Sequence, residues 1–563
     1  MPGNEPKSVM MSVPQALELA LEHKRAGKFV EAEKVYQQIL SQQPNNADAL
    51  HLMGVLAFDR GNAQRAIELI QQAISIKPIA GMYYHLGNAF KDLDQIDASE
   101  NAFRKAIELK PNIALAHNNL GNVLKVQGKP KEAIGAYRKA LEYESDLANA
   151  HSNIICVMHL IDEFDAATIL QETLKWSEKY ADPFKAFIRP HLNDRNPDRK
   201  LRIGYISSDF RAHVVGWNLL PLIREHDHKK HEIYCYSGVS QPDDVTARVR
   251  FYSDRWRNIV QVSDQDTAQM IYDDQIDILI DLSVHSSSHR LGVFARKPAP
   301  VQATWLGYAG TTGLSTMDYR LSDPYLDPPG TDLSVYREQT VCLAHSFWCY
   351  QPGGETVVPG PLPAKDAGFV TFCSMNNFSK VTPAVMDLWA KILNAVPRSR
   401  LVLYSKPGSH QEQVRNRFAG AGISLERLNF VGWQPWLHYI NLYNRVDIAL
   451  DTFPWGGGIT NCDSLYMGVP VVSLSGRTAV GRGGKSILTN IGLPELAART
   501  QEEYLDIAVK LAGDLPRLTE LRRTLRQRMQ QSPLMNAKRF ARDIEAAYRE
   551  MWRKWCEKSQ AEN

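Results

Sequence analysis

Cysteine is sparse in this chain: seven in 563 residues, at 156, 235, 342, 349, 373, 462 and 556. The nearest two, Cys342 and Cys349, stand seven apart, and none are paired at metal-ligand spacing. An odd, scattered set reads as reduced thiols in a reducing compartment. Excess charge is missing too. The 65 Lys and Arg against 62 Asp and Glu leave a net charge of +3, so electrostatic capture of nucleic acid or of an acidic membrane is not expected. No apolar run approaches the roughly 18 residues of a membrane span. Residues 1–13 lack the apolar core of a signal peptide. The expected place is the cytoplasm. The apolar share of 44% and charged share of 23% are ordinary for globular protein, and the length calls for two to four domains.

What the chain has instead is a period. Pro44, Pro78 and Pro111 lie 34 and 33 residues apart, and Gly54, Gly87 and Gly121 lie 33 and 34 apart. Gly27, Gly61, Asp94 and Gly128 repeat at 34, 33 and 34. Ala32, Ala66 and Ser99 each precede a proline by 12. A period near 34 is the mark of helix–turn–helix repeats of the tetratricopeptide kind. Each unit reads as two amphipathic helices, for example 47–58 and 63–76, with Gly61-Asn62 breaking between them. Ser145 stands where a fourth proline is due, and the regularity fades there. Such units stack into a superhelix whose concave surface binds other proteins. The repeats are placed at 14–160 and a helical linker at 161–200.

Short apolar runs at 201–206, 232–236 and 276–282 then alternate with helical stretches, the pattern of an open α/β sheet. A first lobe is placed at 201–350 and an interlobe connection, rich in Pro and Gly, at 351–370. A second alternation follows, with strands at 368–374, 401–405, 428–431, 447–452 and 469–474. A helix at 382–396 has Thr382 as N-cap and Pro383 at its first position. This second lobe is placed at 371–535. The tail from about 502 to 556 reads as helical, with a C-terminal helix at 536–560. In two such sheets a ligand belongs outside the carboxyl ends of the strands, in the cleft between lobes.

Four stretches carry chemistry. Asp-Thr-Phe-Pro-Trp-Gly-Gly-Gly-Ile-Thr-Asn-Cys-Asp at 451–463 runs from a strand through glycines into a helix expected to be capped by Thr460 or Asn461. Gly457 and Gly458 permit close approach of a ligand. Exposed N–H groups and the helix dipole favour an anion such as a diphosphate. The stretch matches neither G-x-G-x-x-G nor the P-loop, and a flexible turn with a capped helix would look the same. Asp463, expected in the first turn, could accept ribose hydroxyl protons. Asn-Asn-Phe-Ser-Lys at 376–380 sets Lys380 in reach of phosphates, against the plainer reading of a solvated lysine. Ser-Ser-Asp-Phe-Arg-Ala-His at 207–213 sets His213 at a strand's carboxyl end, where it can serve as base or hydrogen-bond donor, or simply pack or cap. In 298–313, Gly310 to Gly313 read as another backbone-donor loop, or as a surface turn. Arg482, amid Gly481, Gly483 and Gly484, is a further candidate cation, a solvated loop arginine being the plainer reading. With no carboxylate cluster beside the glycines, no metal is expected.

Tetratricopeptide repeats followed by Ser-Ser-Asp-Phe-x-x-His, Arg-x-Pro-Ala-Pro-x-Gln-Ala-x-Trp-Leu-Gly-Tyr-x-Gly-Thr-x-Gly, Val-Asp-Ile-Ala-Leu-Asp-Thr and Gly-Val-Pro-Val-Val resemble the O-linked N-acetylglucosamine transferases in a bacterial form. The resemblance runs through nearly the whole chain. It implies two Rossmann-like lobes of the GT-B type, an inverting mechanism and no metal cofactor. It also implies transfer of N-acetylglucosamine from a UDP-sugar to Ser or Thr of proteins that the repeats guide. By position it implies His213 beside the reaction centre and Lys380 on the diphosphate, with Asn377 in place of a phosphate-facing glutamine. Gly457, Gly458 and Thr460 fall at the diphosphate-binding helix, and Asp463 at the ribose-binding position. Tyr308, Gly310 and Thr311 fall in the donor-pocket loop, and Gln434 and Arg482 are added to the donor set. The animal-type pattern has Gly-His-Thr-Thr where this chain has Gly-Gly-Ile-Thr, so Gly458 and Ile459 replace a histidine and a threonine. Tyr439 takes the place of a base-contacting histidine, and Trp436 that of a ribose-contacting lysine. Two rival readings share these residues: a SPINDLY-type O-fucosyltransferase using GDP-fucose, and a repeat scaffold whose sugar-nucleotide module binds without turnover.

Overall fold

The computed structural model describes residues 11–355 and 357–558. The periodic positions take up their roles through two different constraints. Gly27, Gly61, Asp94 and Gly128 have φ of 72°, 80°, 57° and 73°, the left-handed region where glycine costs least. Each lies in the turn between the two helices of a pair: Val13–Arg25 and Phe29–Gln42, Ala47–Asp59 and Ala63–Ile76, Ala80–Asp92 and Ile96–Leu109, Ala114–Val126 and Pro130–Tyr143. Gly54, Gly87 and Gly121 are close-approach sites. A Cβ there would lie 2.7 Å from Ile70, 2.7 Å from Phe103 and 2.5 Å from Tyr137. Ala32, Ala66 and Ser99 are fully buried, and the Ser99 hydroxyl donates to the Gly87 carbonyl at 2.8 Å.

The chain divides into two compact units. One runs to Gln127 and takes in Gly135–Ser145 and Lys406–His410; the other holds Gly128–Ile134, Asp146–Ser405 and the chain from Gln411 on. In the second unit a further helical pair, Ala148–Met158 and Ala166–Tyr180, packs on the first α/β lobe. Ser152 Oγ lies 2.9 Å from His289 Nε2 and 3.2 Å from His285 Nδ1, and the Trp176 ring meets His285 edge-on at 4.9 Å. The expected helical linker at 161–200 is helical only in its first part. After a 3-10 segment, Asp182–Phe187, residues 188–200 carry no helix. Pro190 and Pro197 deny helical hydrogen bonds there, and Asn193 and Arg199 pin the strip to buried Asp277 at 2.7 and 2.5 Å.

The first lobe is one parallel sheet of β1 (Leu201–Ser207), β2 (His231–Ser237), β3 (Arg255–Asn258), β4 (Ile278–Asp281), β5 (Val301–Thr304), β6 (Tyr319–Ser322) and β7 (Gln339–Cys342), in the order β3-β2-β1-β4-β5-β6-β7. The second holds β8 (Thr371–Ser374), β9 (Arg400–Tyr404), β10 (Leu428–Val431), β11 (Ile448–Leu450), β12 (Val471–Leu474) and β13 (Ala497–Ala498), ordered β10-β9-β8-β11-β12-β13. The edge strand β3, Arg-Trp-Arg-Asn, is largely exposed and shows no apolar run. In β6, buried Arg320 breaks the apolar pattern; it is paired with Asp327 at 2.8 Å and stacked 3.6 Å over the Tyr336 ring.

The tail is three helices, Gln501–Gly513, Leu515–Gln531 and Ala537–Lys558. Tyr504, Leu518 and Leu521 belong to the second lobe's core. Phe540, Ile544, Tyr548 and Trp552 belong to the first lobe's core, so the last helix returns from the second lobe to the first. In the interlobe stretch the helix Pro363–Ala367 is already tied to the second lobe, Ala364 N–H donating to Asp447 at 2.9 Å. Among the described residues no helix is long and apolar enough to cross a membrane.

Candidate active site

Each sheet reverses its winding between two central strands, β1 and β4 in the first lobe, β8 and β11 in the second. Loops at the carboxyl ends beside such switch points form the natural crevice. Here the loops after β1, β5, β6, β7, β8, β11 and β12 line one cleft of about 350 Å³.

From the first lobe, the loop after β1 ends at His213, the N-cap of the helix Val214–Glu225. Its tight course needs Gly216, where a Cβ would lie 2.2 Å from the Arg211 carbonyl. His213 Nδ1 accepts from the Val215 N–H at 3.3 Å and sits 3.6 Å from Asp209 Oδ2. An imidazole that accepts at Nδ1 carries its neutral proton on Nε2. Burial lowers its pKa; Asp209 opposes that shift and Arg211 adds to it. His213 is thus arranged as a neutral hydrogen-bond donor. The loop after β5 lines the cleft through Leu306–Ala309. Tyr308 lies against Trp455, ring centroids 5.4 Å apart, and both meet His159 at 5.2 and 5.7 Å.

From the second lobe, the 3-10 turn Phe378–Lys380 is capped by the Asn377 side chain, which accepts from Ser379 N–H at 3.0 Å. Thr382 caps the helix Pro383–Ala395 by accepting from Val385 N–H, as the sequence predicts. Half-buried Lys380 donates to the Gly456 carbonyl at 2.8 Å and stands 5.1 Å from the Trp455 ring centroid. Burial pushes its amine down to about 8, against the opposing pull of Asp451. The glycine loop leads into the helix Ile459–Tyr466, whose N-cap is Gly458, without a side-chain cap. The expected caps are engaged elsewhere. Thr460 Oγ1 donates to Asn376 Oδ1 at 2.8 Å, and Asn461 Nδ2 to Asp451 Oδ2 at 2.8 Å. Asn461 N–H already donates to the Gly458 carbonyl at 3.1 Å, but no side chain caps the amides of Ile459 and Thr460, which leaves them to an anion. A Cβ on Gly457 would lie within 2.5–2.7 Å of Asn461, Asn376 and Thr460 oxygens.

The fold therefore brings His213, Tyr308, Asn377, Lys380, Gly457, Gly458 and Thr460 to one cleft. The other expected residues lie outside its lining. Gly310 and Thr311 turn inward, Thr311 Oγ1 donating to buried Glu338 at 2.7 Å, because that carboxylate gathers the loop's donors. Arg482 is buried and committed to the carbonyls of Leu326 and Arg477, at 2.5 and 2.6 Å, and to Asp327. It ties the lobes together rather than facing the cleft. Asp463 is the fifth residue of its helix, past the first turn. It accepts from Tyr350 at 2.7 Å and Tyr439 at 3.0 Å, and burial raises its carboxyl to about 7. Gln434 is exposed. Asn376, Trp348 and Trp455 also line the cleft, and Asp451 holds the glycine loop through Gly457 N–H; the sequence pattern singles out none of them. Only the doubled Asn at 376–377 and the Trp beside the glycines were visible signals.

No Asp or Glu lines the cleft among the described residues. Their one grouping of three metal-ligand types, His226, His231 and Glu545, lies between the last helix and the first lobe. There Glu545 Oε1 is hydrogen-bonded to His226 Nδ1 at 2.8 Å and lies 3.3 Å from His231 Nδ1.

Two alike-wound parallel sheets, with an open helix N-terminus and a lysine on one side of the cleft and an imidazole on the other, define a GT-B type architecture. The chain belongs to glycosyl transferase family 41, whose profile matches residues 183–351 and 362–544; tetratricopeptide profiles match 17–79, 87–128 and 114–147. A solved mutant of the Thermobaculum terrenum O-GlcNAc transferase is 37% identical, with a TM-score of 0.81, covering 97% of this chain and 98% of that one. The probable UDP-N-acetylglucosamine–peptide N-acetylglucosaminyltransferase SPINDLY of Petunia hybrida is 40% identical over 374 residues, 65% of this chain and 40% of its own length. The protein of the same description named SEC, from Arabidopsis thaliana, is 29% identical over 376 residues, 65% of this chain and 38% of its own. The chain thus spans about two fifths of the length of these curated relatives.

Proposed function

We propose that this glycosyltransferase moves N-acetylglucosamine from UDP-N-acetylglucosamine to Ser or Thr hydroxyls of proteins, with inversion and without a metal ion. One observation carries the reading. Lys380 and the uncapped helix N-terminus at 458–460 face the same cleft as His213, so the leaving diphosphate meets positive charge beside a polar group that can orient the acceptor hydroxyl. The names of the Thermobaculum, Petunia and Arabidopsis relatives support the donor and acceptor.

Lys380 and the first-turn amides neutralise charge that builds on the leaving diphosphate, work that a divalent cation does elsewhere. Asn377, Gly457, Gly458 and Thr460 shape the donor site, with Tyr308 and Trp455 as its aromatic wall. His213, donating from Nε2, orients the acceptor or a phosphate oxygen; its capping bond disfavours a general-base role. The repeats supply protein contact, raising the local concentration of the hydroxyl. The cytoplasm remains the proposed compartment.

Purified protein is tested for sugar transfer from UDP-N-acetylglucosamine, UDP-glucose and GDP-fucose, with and without EDTA. Transfer from the first, unchanged by chelator, is expected. Preference for GDP-fucose, absence of turnover with every donor, or activity lost to EDTA and restored by Mg²⁺ or Mn²⁺ would each overturn its part of the proposal. Deleting residues 1–109 should leave nucleotide binding intact while protein glycosylation falls far more than transfer to a short peptide; equal losses in a folded truncation would make the repeats mere support.

A further inference from the structure

We infer that Asp451 is the positioning residue of the anion site: it holds the glycine loop in the one shape that turns Lys380 and the open helix N-terminus toward a single phosphate group. The inference rests on the anion-binding part of the reading above.

Asp451 follows β11 and is 1% exposed, yet it meets no arginine. Its Oδ1 accepts from the N–H of Thr452 at 2.9 Å, the N–H of Gly457 at 2.6 Å and Asn376 Nδ2 at 3.2 Å. Its Oδ2 accepts from Asn461 Nδ2 and Ser473 Oγ at 2.8 and 2.7 Å. Every partner is a donor, which only an ionised carboxylate satisfies in full. These partners come from four separate segments: the β8 loop, the glycine loop, the following helix and β12. The backbone is fixed as well, Tyr504 OH donating to the Asp451 carbonyl at 2.9 Å. The packing leaves no slack, because a Cβ on Gly484 would lie 2.0 Å from Ser473 Oγ and 2.9 Å from Asp451 Oδ2.

The two cleft elements that meet phosphate thus share one buried anchor. Asn376 is four residues before Lys380, and Gly457 is one before the helix cap. The negative charge also acts on Lys380, favouring its protonated form against burial. The other titratable groups on the cleft wall are His213 and Tyr308 of the first lobe. Burial holds His213 toward its neutral form and raises the Tyr308 phenol well above its usual range, so neither replaces this charge. Asn at 451 would keep the volume but set an amide NH₂ against a donor on one side or the other.

The test compares wild type with Asp451→Asn in calorimetric binding of inorganic pyrophosphate and UDP from pH 6 to 9, alongside steady-state transfer. Ligand ionisation is common to both proteins and cancels in the comparison. Affinity of the variant should fall about 10- to 100-fold, the range met when outer hydrogen-bond partners of metal ligands are lost. The alkaline loss of affinity should also begin at lower pH than in wild type. Unchanged affinity, or an equal loss at every pH with the profile unmoved, would overturn the role. If Asp451→Asn does not fold, Ser473→Ala removes one donor; a raised donor KM together with a lowered kcat supports the anchor, and unaltered kinetics refute it. Wild type that binds pyrophosphate but turns over no sugar nucleotide sinks the catalytic reading alone. Wild type that binds no pyrophosphate sinks the anion site and this inference together.

Discussion

Both sheets reverse their winding beside the first strand of the lobe, yet the loops there end differently. After β1 the chain closes on His213, whose Nδ1 is taken up in capping its own helix. After β8 and β11 it closes on Lys380 and on a helix that nothing caps. The same topology therefore yields a neutral donor on one wall and an electropositive anion site on the other. Winding decides where the site lies, and the local capping choice decides what each wall does. A capped helix has used its first-turn donors; an uncapped one keeps them for a ligand.

The contrast predicts that changes on the second lobe's wall hurt most. Lys380→Ala should lower kcat about 10²- to 10³-fold, or about 3–4 kcal/mol, while circular dichroism shows the fold intact. Unchanged turnover at saturating donor would remove the amine from the mechanism. Its pH dependence has a definite sign. A lysine whose pKa is brought down to about 8 by burial loses its charge as pH rises through that value. Donor kcat/KM should therefore decline above about pH 8, up to about tenfold per unit, and Lys380→Ala should flatten that limb.

Next in size is Gly457→Ala. Its Cβ would press on oxygens at 2.5–2.7 Å, displacing the loop that meets the phosphate; misplacement near 1 Å can cost about 10²-fold. A donor KM within twofold of wild type would show that the loop yields freely.

On the first lobe's wall, His213→Asn keeps an acceptor for Val215 N–H and removes the Nε2 donor. Loss of one hydrogen bond, about 1–1.5 kcal/mol, predicts about a tenfold fall in kcat with little change in UDP affinity. Because burial lowers the His213 pKa, its acid limb should lie below the usual imidazole range. A loss beyond 10³-fold would instead argue for proton transfer through this ring.

The smallest catalytic effect is expected from the repeats. Gly87→Ala would set a Cβ 2.7 Å from the Phe103 ring, costing about 1–3 kcal/mol in that unit. Thermal denaturation should show the loss while UDP binding stays within twofold. An equal drop in nucleotide affinity would break the separation between repeats and site.

How much could be read from the chain differs between these regions for the same reason. Repeat positions answer to neighbours within one or two units, so Gly61 and Gly54 recur at the period of the fold. The strands β1, β2, β4, β8 and β12 are largely buried runs and announce themselves, as does β9 with its Leu-Val-Leu centre. β3 is an edge and β6 hides a paired arginine, so neither has an apolar signature. In the cleft, Lys380, His213 and the glycines lie at strand ends, which the alternation of strand and helix locates. Arg482 and Thr311 also lie at strand ends, but Asp327 and Glu338 claim them. Those carboxylates come from other segments, and spacing along the chain does not reveal them.

By itself, the sequence determined the repeat period, the two α/β alternations and the short list of loops that could hold an anion, because these depend on local periodicity and on backbone freedom at glycine. The tertiary structure alone decided that the helix at 459–466 is uncapped, that Asp463 faces two tyrosines, and that Asp451 gathers donors from four segments. Each is a choice among competing hydrogen-bond partners brought together by folding. A buried polar group takes the partner that the packing supplies, and that partner lies anywhere along the chain.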